Sequence, residues 1–280
     1  MPMSERLFLR LALAGVLVGA AALPALAFDG AEPGAKDATA PLQIFKDPQA
    51  ALRAGLEGVR AGETRSAVEA LKYAAAGGES LARWKLGKMY ADGDGVPHDD
   101  VKAYEYFSEV IASYDEDNPD RHELPLVASA FVAIGVYNLN GIANTSVHPD
   151  PERALEMFQY AAMNFGDSNA QYNLARMYLD GAAGVGKDVR QAARWLNVAA
   201  EKGNAQAQAL LGQLLFTGHD GVPRQRARGL MWLMLARDAV HNGAPKDQWI
   251  VDLCDKAVAA STDADKQVAA VYAEDHKRRN

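Results

Sequence analysis

Few side chains in this sequence could do chemistry, and none stands at the spacing of a catalytic or metal-binding set. Three histidines, His98, His148 and His219, fall near inter-helix turns, and His98 and His219 are each followed directly by Asp. Imidazole titrates near neutral pH, so the three could make folding or association acid-sensitive. Solvated turn residues are the plain alternative. The single cysteine, Cys254, sits among Trp249, Ile250, Leu253 and Ala257. One thiol cannot close an internal disulfide. It reads as a small buried apolar group, with a redox or intermolecular-bridging role as the alternative. Five acids, Asp115, Glu116, Asp117, Asp120 and Glu123, crowd the stretch from Ser113 to Pro125. They could meet basic residues of a partner, or form a solvated loop. Gly77-Gly78 ahead of Ser80-Leu81 is a candidate proteolytic hinge, since glycine lets backbone open. Repeat punctuation competes with that reading, because Gly166 and Gly203 hold the equivalent column. No catalytic residue, cofactor motif or metal-ligand spacing is found.

The elements that must position these residues begin with an address label. Arg6 and Arg10 precede an apolar run from Leu11 to Leu23 and the small-residue pattern Ala25-Leu26-Ala27. This predicts a secretory signal peptide over residues 1–27, cut between Ala27 and Phe28. A retained amphipathic helix is the alternative. The run is too short for a lasting membrane anchor, so the processed chain is expected to have no membrane span and to be soluble outside the cytoplasm. Residues 28–48, rich in Ala, Gly, Pro and Asp, are expected to form a flexible arm. With 29 Lys plus Arg against 36 Asp plus Glu, the formal charge is −7. That balance makes nucleic acid a poor partner, since phosphate contacts need clustered Lys and Arg. The one basic run, Lys277-Arg278-Arg279, is expected to be a solvated tail.

Residues 49–280 repeat themselves at a period of roughly forty residues, the mark of a solenoid. Gly87, Gly135, Ala175 and Gly212 form one column, and Gly93, Gly141, Gly181 and Gly218 a second. Ala103, Ala154, Ala192 and Gly229 form a third. Apolar residues at helical spacing alternate with Gly-containing breaks, which predicts antiparallel helix pairs and almost no strand. A small residue in the first column permits close helix crossing. Glycine in the second can end a helix at positive φ. Asp99, Asp150 and Asp188 are placed to cap the following helices, and Val185 is expected to pin its turn into the core. Tyr90, Tyr178, Trp195 and Trp232 read as core.

The repeat itself resembles a known family. Leu86-Gly87-Lys88-Met89-Tyr90 with Asp92-Gly93-Asp94-Gly95-Val96, and Leu174 to Gly203 with Asp220-Gly221-Val222-Pro223, are similar to Sel1-like repeats, relatives of the tetratricopeptide repeat. The likeness departs at Asn138 and Leu215 in the tyrosine column, at Ser146-Val147, and at Gln225 in the capping column. It implies an all-α, right-handed α-solenoid of stacked helix pairs that binds protein, ended here by a C-terminal helical cap.

The whole layout, with leader, arm and an interrupted middle repeat, resembles a family of periplasmic negative regulators of exopolysaccharide production. That resemblance implies a periplasmic location and a partner in the sensor domain of a membrane histidine kinase. It also implies repression of two-component signalling that proteolysis relieves. A general envelope scaffold has the same surface requirements. An envelope hydrolase would need a catalytic constellation, and Cys254 alone does not support the disulfide pattern of the cysteine-rich relatives linked to antibiotic-hydrolysing activity. The sequence leaves the oligomeric state open.

Overall fold

The computed structural model describes residues 45–240 and 245–279. The leader, its cleavage pair Ala27 and Phe28, and the arm as far as residue 44 lie outside them. Twelve α-helices make up the described chain, and its one strand-like feature is a bridge between His219 and Val222. The helices pair as α1 (Pro48–Ala61) with α2 (Thr64–Ala76), α3 (Ser80–Asp92) with α4 (Asp100–Ala112), and α5 (Leu124–Asn140) with α6 (Pro151–Tyr160). Next come α7 (Ser168–Asp180) with α8 (Val189–Glu201) and α9 (Ala205–Thr217) with α10 (Arg226–Ala239). Both α11 (Gln248–Ala259) and α12 (Asp263–Arg279) pack on α10.

Each boundary has a local cause. Asp47, Asp99, Asp150, Asp167, Asp188 and Asn204 each accept a hydrogen bond from the amide three residues on, over 2.7–3.0 Å. These bonds satisfy donors a helix start leaves open. Gln225, in the same column, makes no such cap. Gly93 and Gly181 close α3 and α7 in the left-handed region, at φ 67° and 71°. Glycine adopts that conformation without a Cβ penalty.

The small-residue column explains why the pairs sit so close. A Cβ on Gly87 would stand 2.9 Å from the Phe107 ring, and one on Gly135 only 2.6 Å from the Phe158 ring. Phe107 and Phe158 lie four residues beyond Ala103 and Ala154. The same step from Ala192 reaches Leu196. Across that pair the column holds Ala175, fully buried. A leucine opposite goes with the methyl group where the third column holds Ala192; where it holds Gly229 the helices come closer, and a Cβ on Gly212 would lie 2.8 Å from Leu233.

The apolar spine comes in two adjoining lengths. One runs from Ala51 to Met177 and the other from Ala175 to Ala273, and Tyr178 and Trp195 pack against both. Three expectations need correction. The arm does not remain separate up to residue 48: Pro48 opens α1, and Phe45 lies against the core with its ring 5.5 Å from that of Tyr73. The basic run Lys277-Arg278-Arg279 is the last turn of α12 rather than a tail, and Lys277 pairs with Asp238 of α10 at 3.3 Å. Val185 is only half-buried, and Val189 is the buried valine of that segment.

Candidate partner-binding surface

The stretch from Ser113 to Pro125 leaves the repeat pattern and folds into a tethered loop. Asp115 accepts from the amides of Asp117 and Asn118 at 3.0 and 3.2 Å, and Asp120 accepts from the His122 amide at 2.8 Å. These bonds turn the chain locally. Asp115, Glu116, Asp117 and Asp120 face solvent, while Glu123 is half-buried at the start of α5. One acid reaches back to the body: the Tyr160 hydroxyl donates to Glu116 over 2.8 Å. Burial, and then this bond, push the Tyr160 phenol well above the ordinary tyrosine value. The phenol therefore stays a donor through the physiological range. Tyr114 anchors the other side of the loop, edge-on to Phe165 at 5.6 Å.

Beneath the loop lies a feature the sequence reading missed. The last turn of α6 continues as a π-helical turn, Ala161–Phe165. Its cause is one extra residue. Four positions separate Ala200 from its cap Asn204, counting the cap, and five separate Ala162 from its cap Asp167. A single insertion inside a helix is accommodated as a π-bulge, a form enriched at functional sites. The alignment of those two segments was the available signal. The bulge carries Phe165 into a ring cluster with Phe131 at 6.0 Å and Tyr160 at 5.6 Å. It also leaves Met163 64% exposed.

Loop and bulge flank an open groove of about 370 Å³ lined by Leu124, Pro125, Ala128, Phe165 and Lys202 among others. The arrangement offers an apolar floor with a flexible thioether and an acidic rim beside it. Such a surface suits protein recognition. No group of three or more His, Cys, Asp or Glu among the described residues could hold a metal.

The other expected sites are dispersed. Gly77 and Gly78 form a closed turn in which the amides of Gly77, Gly78 and Glu79 all donate to α2 carbonyls at 3.1 Å. Ser80 is buried and Leu81 half-buried, so cleavage there requires local opening. His98, His148 and His219 occupy three different inter-helix turns. His98 Nδ1 lies 2.9 Å from the Ala91 carbonyl oxygen, and its Nε2 3.2 Å from the Asp100 carboxylate. His219 lies 3.1 Å from the Asp220 carboxylate, and His148 is exposed. Cys254 is fully buried, and burial pushes its thiol pKa up, the environment of an inert thiol. The histidine that does enter a joint is His276 on α12. It is buried, edge-on to Trp232 at 5.0 Å, with Nδ1 3.5 Å from Glu201. Its helical spacing from Ala269 and Ala273 was legible.

Comparison with known proteins agrees with this architecture. The Sel1 repeat model matches residues 80–109, 128–164, 168–204 and 205–241. The "Exopolysaccharide production negative regulator" of Rhizobium meliloti (strain 1021) is 35% identical over 265 residues, covering 93% of this chain and 92% of its own. The protein of the same description from Rhizobium leguminosarum bv. viciae is 34% identical over 247 residues, covering 88% and 85%. Among solved structures, a protective antigen of uropathogenic Escherichia coli displaying an SLR fold superposes with a TM-score of 0.64 at 25% identity. That match covers 82% of this chain and 45% of the antigen, so the chain spans less than half of that protein. With four matched repeats and relatives aligned almost end to end, the chain belongs to the Sel1 repeat family and to one family with these exopolysaccharide production negative regulators.

Proposed function

We propose that this protein is a periplasmic negative regulator of exopolysaccharide production. It binds the sensor domain of a membrane histidine kinase and holds two-component signalling low until proteolysis removes it. The observation that carries the regulatory part of the reading is 35% identity over 93% of the chain to a relative named as an exopolysaccharide production negative regulator. The leader pattern ending at Ala27 supports export, and no described helix is long and apolar enough to cross a membrane. A solenoid of this kind has the extended surface that protein capture needs. The loop from Asp115 to Glu123, the π-turn and the groove are the contact surface. Restraint follows if the regulator binds the low-output form of the kinase more tightly than the active form, since a partner shifts an equilibrium only through differential affinity.

Removing the gene and restoring it in trans tests the regulatory role. Exopolysaccharide rises on removal and returns to its former level with the intact protein. Unchanged exopolysaccharide after removal contradicts the proposal. Loss of polysaccharide would instead identify an envelope scaffold for the production machinery.

A further inference from the structure

The outer side of α12 does not look like the closing face of a solenoid. Stacked repeats end on helices whose outer side is polar, because no further unit covers them. Eight large apolar side chains stand exposed among the described residues: Tyr73, Val101, Val136, Met163, Val198, Val268, Val271 and Tyr272. The first five fall one to a helix, and scattered singles of that kind are ordinary. The last three share α12, at the i, i+3, i+4 spacing of one stripe, with Val271 59% exposed. The inward side of the same helix is already occupied by Ala269, Ala273 and His276, packed towards α10.

Charge runs along the helix with a definite polarity. Asp263 and Asp265 lie in the first turn, and His276, Lys277, Arg278 and Arg279 in the last, behind Glu274 and Asp275, the second of which already pairs with Arg278 at 2.5 Å. Val271 is the central residue of Asp263–Arg279. Turning a second copy end for end about Val271 therefore lays valine on valine. It also sets the acidic first turn of each helix beside the basic last turn of the other, with the helix dipoles opposed. Asp263 is almost fully solvated, held only by a 3.6 Å pair with Lys266, and is free to take an arginine partner at little cost. Beside the stripe runs an open groove of about 630 Å³ walled by Arg228, Met231, Trp232, Tyr272 and Arg279 among others. It extends the surface a second helix could cover.

We propose that α12 is a self-association surface, through which two copies of this chain pair antiparallel about a two-fold axis at Val271. A two-fold contact uses one patch twice and closes on itself, and here it sets Val271 against Val271 and Asp263 of each copy opposite Arg279 of the other. A single pair of helices this short buries less than the roughly 1,200 Å² of a standard stable complex, so the dimer is weak and concentration-dependent.

Sedimentation equilibrium on the purified protein from about 1 µM to about 1 mM, the span of weak association, tests it. The mass climbs with concentration towards that of two chains. Val271→Glu, a change at an exposed position that leaves thermal unfolding unaltered, holds the mass at one chain throughout. Arg278→Glu with Arg279→Glu also stays monomeric, as does Asp263→Lys. Mixing those two charge-changed proteins restores pairs, since each end then faces its opposite. A wild-type mass of one chain at every concentration overturns the proposal. So does a dimer that persists in Val271→Glu, or a mixture that stays monomeric.

Discussion

Replacing Gly135 by alanine puts a methyl group where the Phe158 ring already stands. The new Cβ would lie 2.6, 2.9 and 3.0 Å from three ring carbons, whereas unstrained carbons rest about 3.5–4.0 Å apart. Phe158 is fully buried, so the ring cannot swing into solvent, and α5 and α6 must part or the ring must leave its rotamer. Overpacking of this kind costs about 1–3 kcal/mol. Against it stands the better helix propensity of alanine, worth about 1 kcal/mol. The net expectation is a loss of about 1 kcal/mol. Phe158→Leu alone opens a void and costs roughly 1–2 kcal/mol, less than the full truncation of a phenylalanine. Together the two changes rebuild the arrangement the protein uses at Ala175 and Leu196. The clash disappears and the helix gain remains. Urea unfolding of the four proteins, followed by circular dichroism, gives the coupling directly. The double variant is expected to be more stable than the sum of the single losses allows, by about 1–2 kcal/mol. Additivity within about 0.5 kcal/mol, the scatter of independent sites, refutes the packing rule. So does a Gly135→Ala protein more stable than wild type.

Further expectations follow from the caps and the loop. Gln225→Asp supplies α10 with the cap that its equivalents have and it lacks, and the urea midpoint rises by an amount worth about 1 kcal/mol. Asp99 sits below the ordinary carboxylate range, chiefly through its hydrogen bond to the Lys102 side chain, and Asp265 does so chiefly through the Thr262 amide. Because their folded values lie below the unfolded one near 3.9, the stability they contribute is present above that value and lost as pH falls through the folded ones. Urea midpoints therefore drop on acidification through the carboxylate range. The drop is smaller for Asp99→Asn, whose amide oxygen caps without titrating. Tyr160→Phe removes the tether to Glu116 at a cost of about 1 kcal/mol to the fold. It speeds hydrogen exchange across the loop; unchanged exchange there would show that the bond does not hold the loop.

The helix pairs were legible because their causes are local and repeated. Asp188, Gly181 and Ala192 each act within a turn or two of themselves, and the columns they share with other units betray the period. What escaped depends on contacts between distant residues or on a single inserted position. The π-turn at Ala161–Phe165 comes from one extra residue before Asp167, which a search for regular periodicity smooths away. The acidic loop was visible as a break in pattern. That Glu116 is held by Tyr160, and Tyr114 by Phe165, follows only once the stack lays the loop after α4 beside the end of α6. The last turn of α12 was misread for a related reason. A charged run looks like a tail until Asp238 of α10 stands beside Lys277. His276 was overlooked because turn histidines drew notice first, while burial against Trp232 is a property of the stack.

The function proposed for the loop-and-groove surface is capture of a kinase sensor domain. Its most direct test is titration of the purified protein with the isolated periplasmic domain of the histidine kinase that controls exopolysaccharide output. A parallel titration uses a variant in which Asp115, Glu116, Asp117 and Asp120 are replaced by Ser. Saturable binding that weakens at least about tenfold in the variant, a loss of about 1.4 kcal/mol, and weakens with added salt, is the expected result. No binding by the intact protein, or equal affinity for both proteins, contradicts the account.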